Sequence, residues 1–160
     1  MTQRLKLEVV DRREFVVGAT AAAMLAAFLG RAGTANAQDK PPTFDELMKK
    51  IVGDKKPEEV KVNIELPEIA ENGNTVPYSV SVESAMTDGD YVKALHVLSS
   101  GNPAPTIATF YFSPLAGEAK VSSRMRLAKT QDIYAIAELS NGSMLIGKRT
   151  VKVTIGGCGG

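Results

Sequence analysis

The sequence predicts an all-β protein: an immunoglobulin-like antiparallel β-sandwich of about seven strands, with one N-terminal helix and a flexible C-terminal arm. Three observations predict it. From Glu58 onward, apolar residues recur at every second position, in short runs bounded by turn residues. Only one stretch, beginning at Phe44, carries a helical period instead. The chain then closes on Gly156-Gly157-Cys158-Gly159-Gly160, too rich in glycine to continue a strand. Many short strands with turn chemistry between them bury their apolar faces most simply as two packed sheets.

Each element has its own justification. Thr43 followed by Glu46 is a capping box, in which each side chain satisfies an orphan backbone N–H at a helix start. Phe44, Leu47, Met48 and Ile51 then form one apolar stripe, and Gly53 suits the helix stop. Val60, Val62, Ile64 and Leu66 alternate with polar residues until Pro67 ends that strand. Asn72-Gly73-Asn74 marks a turn, and Val76, Tyr78, Val80 and Val82 make the next inward face. Thr87-Asp88-Gly89-Asp90 turns the chain into Tyr91 to Leu98. The remaining strands are Thr106 to Phe112, Ala119 to Leu127, Ile133 to Leu139 and Met144 to Ile155, the last two joined by a hairpin at Ser140-Asn141-Gly142-Ser143. With one cysteine and no tryptophan, the chain lacks the Cys…Trp…Cys pattern of antibody domains.

Two of these strands carry unusual faces. Thr106 to Phe112 is apolar on both sides, which implies burial on both faces, either inside the fold or with one face under a second subunit. Lys120, Ser122, Arg124 and Arg126 form the outward face of their strand. They read first as a solvated face, and second as guidance for an anionic adduct or an acidic enzyme surface.

Residues 1–37 read as an address. Arg12-Arg13 precede an uncharged, alanine-rich run from Phe15 to Leu29, and Ala35-Asn36-Ala37 supplies the small residues of a cleavage site. The paired arginines and modest hydrophobicity predict a twin-arginine signal, export to the periplasm and cleavage after Ala37. The apolar run is short of the ~20 residues that span a bilayer, so no membrane anchor is expected after cleavage. Residues 38–155 then form the domain and residues 156–160 the arm. Removing 37 of the 160 residues leaves 14 basic against 15 acidic side chains, which argues against nucleic acid as a partner.

No catalytic constellation is apparent. His96, the only histidine, sits mid-strand with no nucleophile beside it in sequence, and one Cys with one His is too few ligands for zinc. No cofactor is expected, and no glycine-rich loop opens a helix. Cys158 is different. An unpaired cysteine in an exported protein suggests a free reactive thiol or an intermolecular disulfide, including a disulfide-linked dimer. Glycines on both sides predict a mobile, unhindered thiol, and none of its neighbours would lower its pKa from the ordinary value of about 8.5. Cys158 is therefore a handle on which other proteins act. On this reading Gly157→Val or Gly159→Val slows turnover and leaves stability unchanged.

The paired arginines, the sandwich pattern, the segment from Leu66 to Pro77 and the terminal GGCGG together resemble the SoxY family, the sulfur-carrying subunits of the periplasmic Sox thiosulfate-oxidation system. The resemblance covers essentially the whole chain. It implies a heterodimer with a SoxZ subunit, a second small sandwich exported alongside. It also implies covalent attachment of the substrate to Cys158, with Gly156, Gly157, Gly159 and Gly160 as the flexible arm. SoxXA would join thiosulfate to the thiol oxidatively, SoxB would release sulfate by hydrolysis, and SoxCD, where present, would oxidise the sulfur left behind. The resemblance implies a carrier with no catalytic machinery of its own. A structural adaptor, linked through a permanent Cys158 disulfide, is the alternative.

Overall fold

The computed structural model describes residues 41–157. The expected signal residues Arg12, Arg13, Ala35 and Ala37 lie outside this range, as do Cys158, Gly159 and Gly160. Helix α1 (Phe44–Val52) starts at Thr43 with both halves of the capping box formed, and Gly53, at φ 60°, returns its N–H to the Lys49 carbonyl. No helix among the described residues is long and apolar enough to cross a membrane.

Eight strands follow, packed as two sheets. One holds β1 (Val62–Glu65), β3 (Val76–Val82) and β6 (Ala119–Met125), in the order β1-β3-β6. The other holds β2 (Ile69–Asn72), β4 (Val92–Ser99), β5 (Thr106–Tyr111), β7 (Gln131–Leu139) and β8 (Met144–Ile155), in the order β2-β8-β7-β4-β5. Their inner faces enclose the main core, built on Val76, Tyr78, Val80, Leu95, Val97, Ile133 and Val151. The period-two reading of β3 holds at every inward position, since Val76, Tyr78, Val80 and Val82 are all buried.

The larger sheet is covered on its other face as well. Leu98, Ile136 and Met144 point away from the main core and receive Phe44, Leu47, Met48 and Ile51 of the helix stripe. This second layer explains why β4 and β7 are apolar on both faces. The Phe44 and Tyr134 rings meet at 4.9 Å between centroids, tilted by 45°.

Three details differ from the sequence-based expectation, each for a local reason. Ile69–Asn72 forms an additional strand, β2, and pairs with β8 in parallel, so the sandwich is not wholly antiparallel. Only Ala70 of its four residues is buried, which leaves no alternation to recognise. The first strand is shorter than its apolar pattern, because Lys61 adopts a positive φ of 63° and breaks the extended run. Residues before this kink bridge to β8, with Glu58 N–H on the Met144 carbonyl and Ile146 N–H on the Glu58 carbonyl, both at 2.9 Å. Those after it enter the other sheet. In β5, the register shifts opposite Val97/Leu98, and Ile107 packs onto the same core as Phe110 and Phe112. The two-faced pattern is therefore largely a bulge. Tyr111, at 78 % exposure, remains outside on this edge strand.

Candidate functional site

The end of β8 is where the sequence placed the chemistry. Ile155 and Gly157 do not leave the domain freely. Gly73 N–H donates to the Ile155 carbonyl at 2.7 Å, Leu127 N–H donates to the Gly73 carbonyl at 2.8 Å, and Gly157 N–H donates to the Leu127 carbonyl at 2.8 Å. Three segments distant in sequence thus close a ladder at one end of the sandwich. The parallel pairing of β2 with β8 makes this possible, because it brings Asn72 beside Ile155 at the same end.

The glycines are needed for contact. A Cβ on Gly156 would run into the Ala128 carbonyl oxygen, and one on Gly157 into the Gly73–Asn74 peptide. A Cβ on Gly73 would overlap the Leu127 carbonyl and sit 2.8 Å from the Gly157 nitrogen. Gly156 and Gly157, expected to belong to a limp tail, are instead held against the body. The sequence could not separate these readings, since a glycine pair suits a loose tether and a tight approach equally. Gly157→Val is accordingly expected to destabilise the fold by about 1–3 kcal/mol through backbone displacement. The measurement is the urea midpoint, and an unchanged midpoint would contradict the packed geometry.

The loop that receives Gly157 is itself braced. Asn102 donates from Nδ2 to the Arg126 carbonyl at 2.8 Å, while its Oδ1 accepts from Ala128 N–H at 3.0 Å and from Gln131 Nε2 at 2.9 Å. Gln131, 6 % exposed, also accepts Gly101 N–H at 2.7 Å. Neither Asn102 nor Gln131 stood out in the sequence, because their role lies in backbone groups they satisfy far along the chain.

Arg126 and Lys129, exposed on either side of Leu127-Ala128, flank this region. Lys120, Ser122 and Arg124 are exposed farther back along β6, as predicted for a solvated face. Among the described residues the ion pairs are Lys93–Glu138 and Lys148–Asp132, so these five side chains include no ion-paired group.

His96 lies elsewhere. It faces a cleft of about 400 Å³ between α1 and β5, bordered by Leu47, Ile51, Thr109, Tyr111 and Glu138. Its Nδ1 is 3.1 Å from Thr109 Oγ1, a hydrogen bond whose donor depends on the tautomer. Burial pushes the imidazole below its ordinary pKa, outweighing the opposing pull of the Glu138 carboxylate. The unfolded chain therefore binds this proton more readily than the folded one. Stability contributed by neutral His96 is present above the unfolded pKa near 6.5 and is lost as pH falls through the lower folded value. Lys50 borders the same cleft, and Lys93 holds Glu138 at 3.2 Å. His96→Gln is expected to flatten the fall in urea midpoint between neutral pH and pH 5, and an unaltered slope would exclude this origin. Among the described residues, no group of three or more His, Cys, Asp or Glu is placed to hold a metal ion.

A family model described as sulfur oxidation protein SoxY matches residues 48–158. The solved sulfur carrier protein SoxY from Chlorobium limicola f thiosulfatophilum is 32 % identical, with a TM-score of 0.57, over 69 % of this chain and 96 % of that one. A superoxide reductase (neelaredoxin) from Ignicoccus hospitalis superposes with a TM-score of 0.53 at 20 % identity, over 59 % of this chain and 80 % of that one. At that identity the likeness is one of fold alone. No curated protein sequence matches. The family match takes in most of the sandwich, the braced loop and the glycine ladder and ends on the single cysteine: this chain belongs to the SoxY family of sulfur oxidation proteins.

Proposed function

We propose that this protein is a covalent carrier of sulfur intermediates, with Cys158 as the attachment point and no reaction catalysed by the carrier itself. The observation that carries the reading is the reach of the family match to residue 158, so that it includes the only cysteine of the chain. The Chlorobium neighbour, a sulfur carrier by its own description, supports it. In the loading step the thiol and thiosulfate each contribute one sulfur to a new S–S bond. The thiol proton is released, and two electrons pass to a haem oxidase of the SoxXA type. The product is a cysteine S-thiosulfonate. A SoxB-type hydrolase then adds water across the bond to the terminal sulfone sulfur, releasing sulfate and leaving a persulfide. A SoxCD-type enzyme would oxidise that remaining sulfur where one is present.

The carrier requires no cofactor of its own beyond the sulfur species on Cys158. It works in the periplasm as a heterodimer with a SoxZ-like subunit, after export under a twin-arginine signal read through Arg12 and Arg13 and cleaved at Ala35-Asn36-Ala37. A covalent link keeps a small anion from diffusing away between enzymes without needing a binding pocket. An ordinary thiol, unactivated by neighbours, also limits oxidation while no enzyme is docked.

The test is intact mass after incubation with thiosulfate and the oxidase. A gain of one thiosulfate unit, reversed by reductant and mapped to Cys158, is the expected result. An inert disulfide-linked dimer would overturn the proposal in favour of an adaptor joined through Cys158.

A further inference from the structure

Among the described strands, β1 and β6 form the edges of the smaller sheet and β2 and β5 those of the larger. An edge strand presents unpaired peptide groups, and soluble proteins blunt such edges with charge, proline or brevity. Three of these edges follow that pattern. β1 has four residues and ends on Glu65, β2 has four and contains Glu71, and β6 carries Lys120 and Arg124. β5 has six residues with no charge and no proline, and from Ala94 to Gly117 the chain has no Asp, Glu, Lys or Arg. Its register shift opposite Val97/Leu98 falls at the Ile107 end and leaves Ala108–Tyr111 in regular pairing with β4. Phe112 N–H donates to the Lys93 carbonyl at 3.1 Å, so by antiparallel alternation Phe112, Phe110 and Ala108 turn their peptide groups to β4. Thr109 and Tyr111 turn theirs outward, where no described strand receives them. Apolar surface lies beside them, with Tyr111 78 % and Leu115 97 % exposed.

We propose that the β5 edge is an interface for a second copy of this chain, paired antiparallel about a two-fold axis at Phe110, so that the two larger sheets run on as one. The inference goes beyond the carrier reading and stands without it. Self-complementarity selects this partner. A two-fold interface brings the same patch of both copies together, which sets like charges against each other on a charged edge and costs nothing of that kind on β5. The regular segment 108–112 is centred on Phe110. Pairing about that residue sets Thr109 opposite Tyr111 of the second copy, and these are the residues whose peptide groups turn outward. Phe110 then faces its own counterpart across a non-hydrogen-bonded pair, about 4.5 Å between Cα atoms. Aromatic pairs and pairs of an aromatic with a β-branched residue are favoured across strands. The same register gives the cleft beside His96 an occupant. Thr109 and Tyr111 border that cleft, so Tyr111 of each copy comes to the open side of the other's.

Sedimentation in reductant, which excludes a Cys158 disulfide, tests the pairing. The mature chain alone and its heterodimer are both expected to double in mass as concentration rises through the micromolar range, since one strand edge is smaller than a standard interface. Tyr111→Lys restores charge to the edge at an exposed position and is expected to weaken the doubling by about 30-fold or more. The melting temperature of the dilute chain should not change. Ile69→Lys, at a position 58 % exposed on the β2 edge, should leave the doubling as it is. Equal weakening by both variants would mean unspecific adhesion and overturn the proposal, as would a chain that stays monomeric at roughly millimolar concentration. Phe110→Cys in a Cys158→Ser chain reads the register. It should form a disulfide between copies under mild oxidant, whereas Thr106→Cys in the same chain should not. A folded Phe110→Cys chain that stays uncrosslinked would overturn the pairing, and if that variant does not fold, Tyr111→Lys still decides. A heterodimer that never doubles, and whose assembly Tyr111→Lys weakens, would assign β5 to the other subunit and overturn the proposal.

Discussion

Cys158→Ser is expected to reduce thiosulfate-dependent turnover by the reconstituted enzymes to background, with the fold and the heterodimer retained. The replacement exchanges one sulfur atom for oxygen and leaves every other residue of the chain unchanged. The chemistry changes completely. A serine hydroxyl is a far weaker nucleophile than a thiolate at neutral pH, and it cannot form the S–S bond that holds the cargo. The sequence has no second cysteine to take over. The measurements are turnover, intact mass and elution as a heterodimer. Turnover above background would exclude attachment at Cys158, and loss of the heterodimer would show that the residue serves assembly.

Leu95→Ala should produce the largest loss of stability from a single core position, about 2–5 kcal/mol. Leu95 has no exposed surface and sits in the main core between the two sheets, beside Ala137 of β7 and Phe110 of β5 in the hydrogen-bonded register. Truncation removes its transfer free energy and leaves a void that strands hydrogen-bonded on both sides cannot easily collapse to fill. For a domain of this size each kcal/mol corresponds to roughly 4 °C, so the melting temperature should fall by about 10 °C or more. A fall of only a few degrees would mean that the sheets close the gap. Cargo loading at low temperature should persist, because the site lies at the sheet end.

Much of this fold was legible because burial writes a period into the chain. Val76, Tyr78, Val80 and Val82 announce an inward face, the Phe44 to Ile51 stripe announces a helix lying on something apolar, and Thr43 with Glu46 announces where it begins. Legibility failed where backbone groups carry the structure. Ile69–Asn72 is an edge strand whose partner β8 lies at the far end of the chain, and pairing through peptide groups requires no particular side chains. The candidate site divides in the same way. Cys158 could be found by its isolation among glycines. Leu127, Asn102 and Gly73 could not, since a buried leucine, a loop asparagine and a turn glycine look the same whether or not a chain end is moored to them.

The position of β8 also bears on how the molecule is made. It is synthesised after the seven other described strands, yet it lies between β2 and β7, as the only strand partner of β2 and one of the two partners of β7. Until it emerges, β2 has no partner and one edge of β7 stands open, and the apolar faces of β7 and β4 form an unfinished layer. Closure of the sheet must then wait until β8 has been synthesised, and non-local pairing of this kind is slow. A nascent chain in that condition is a natural client for a holding chaperone.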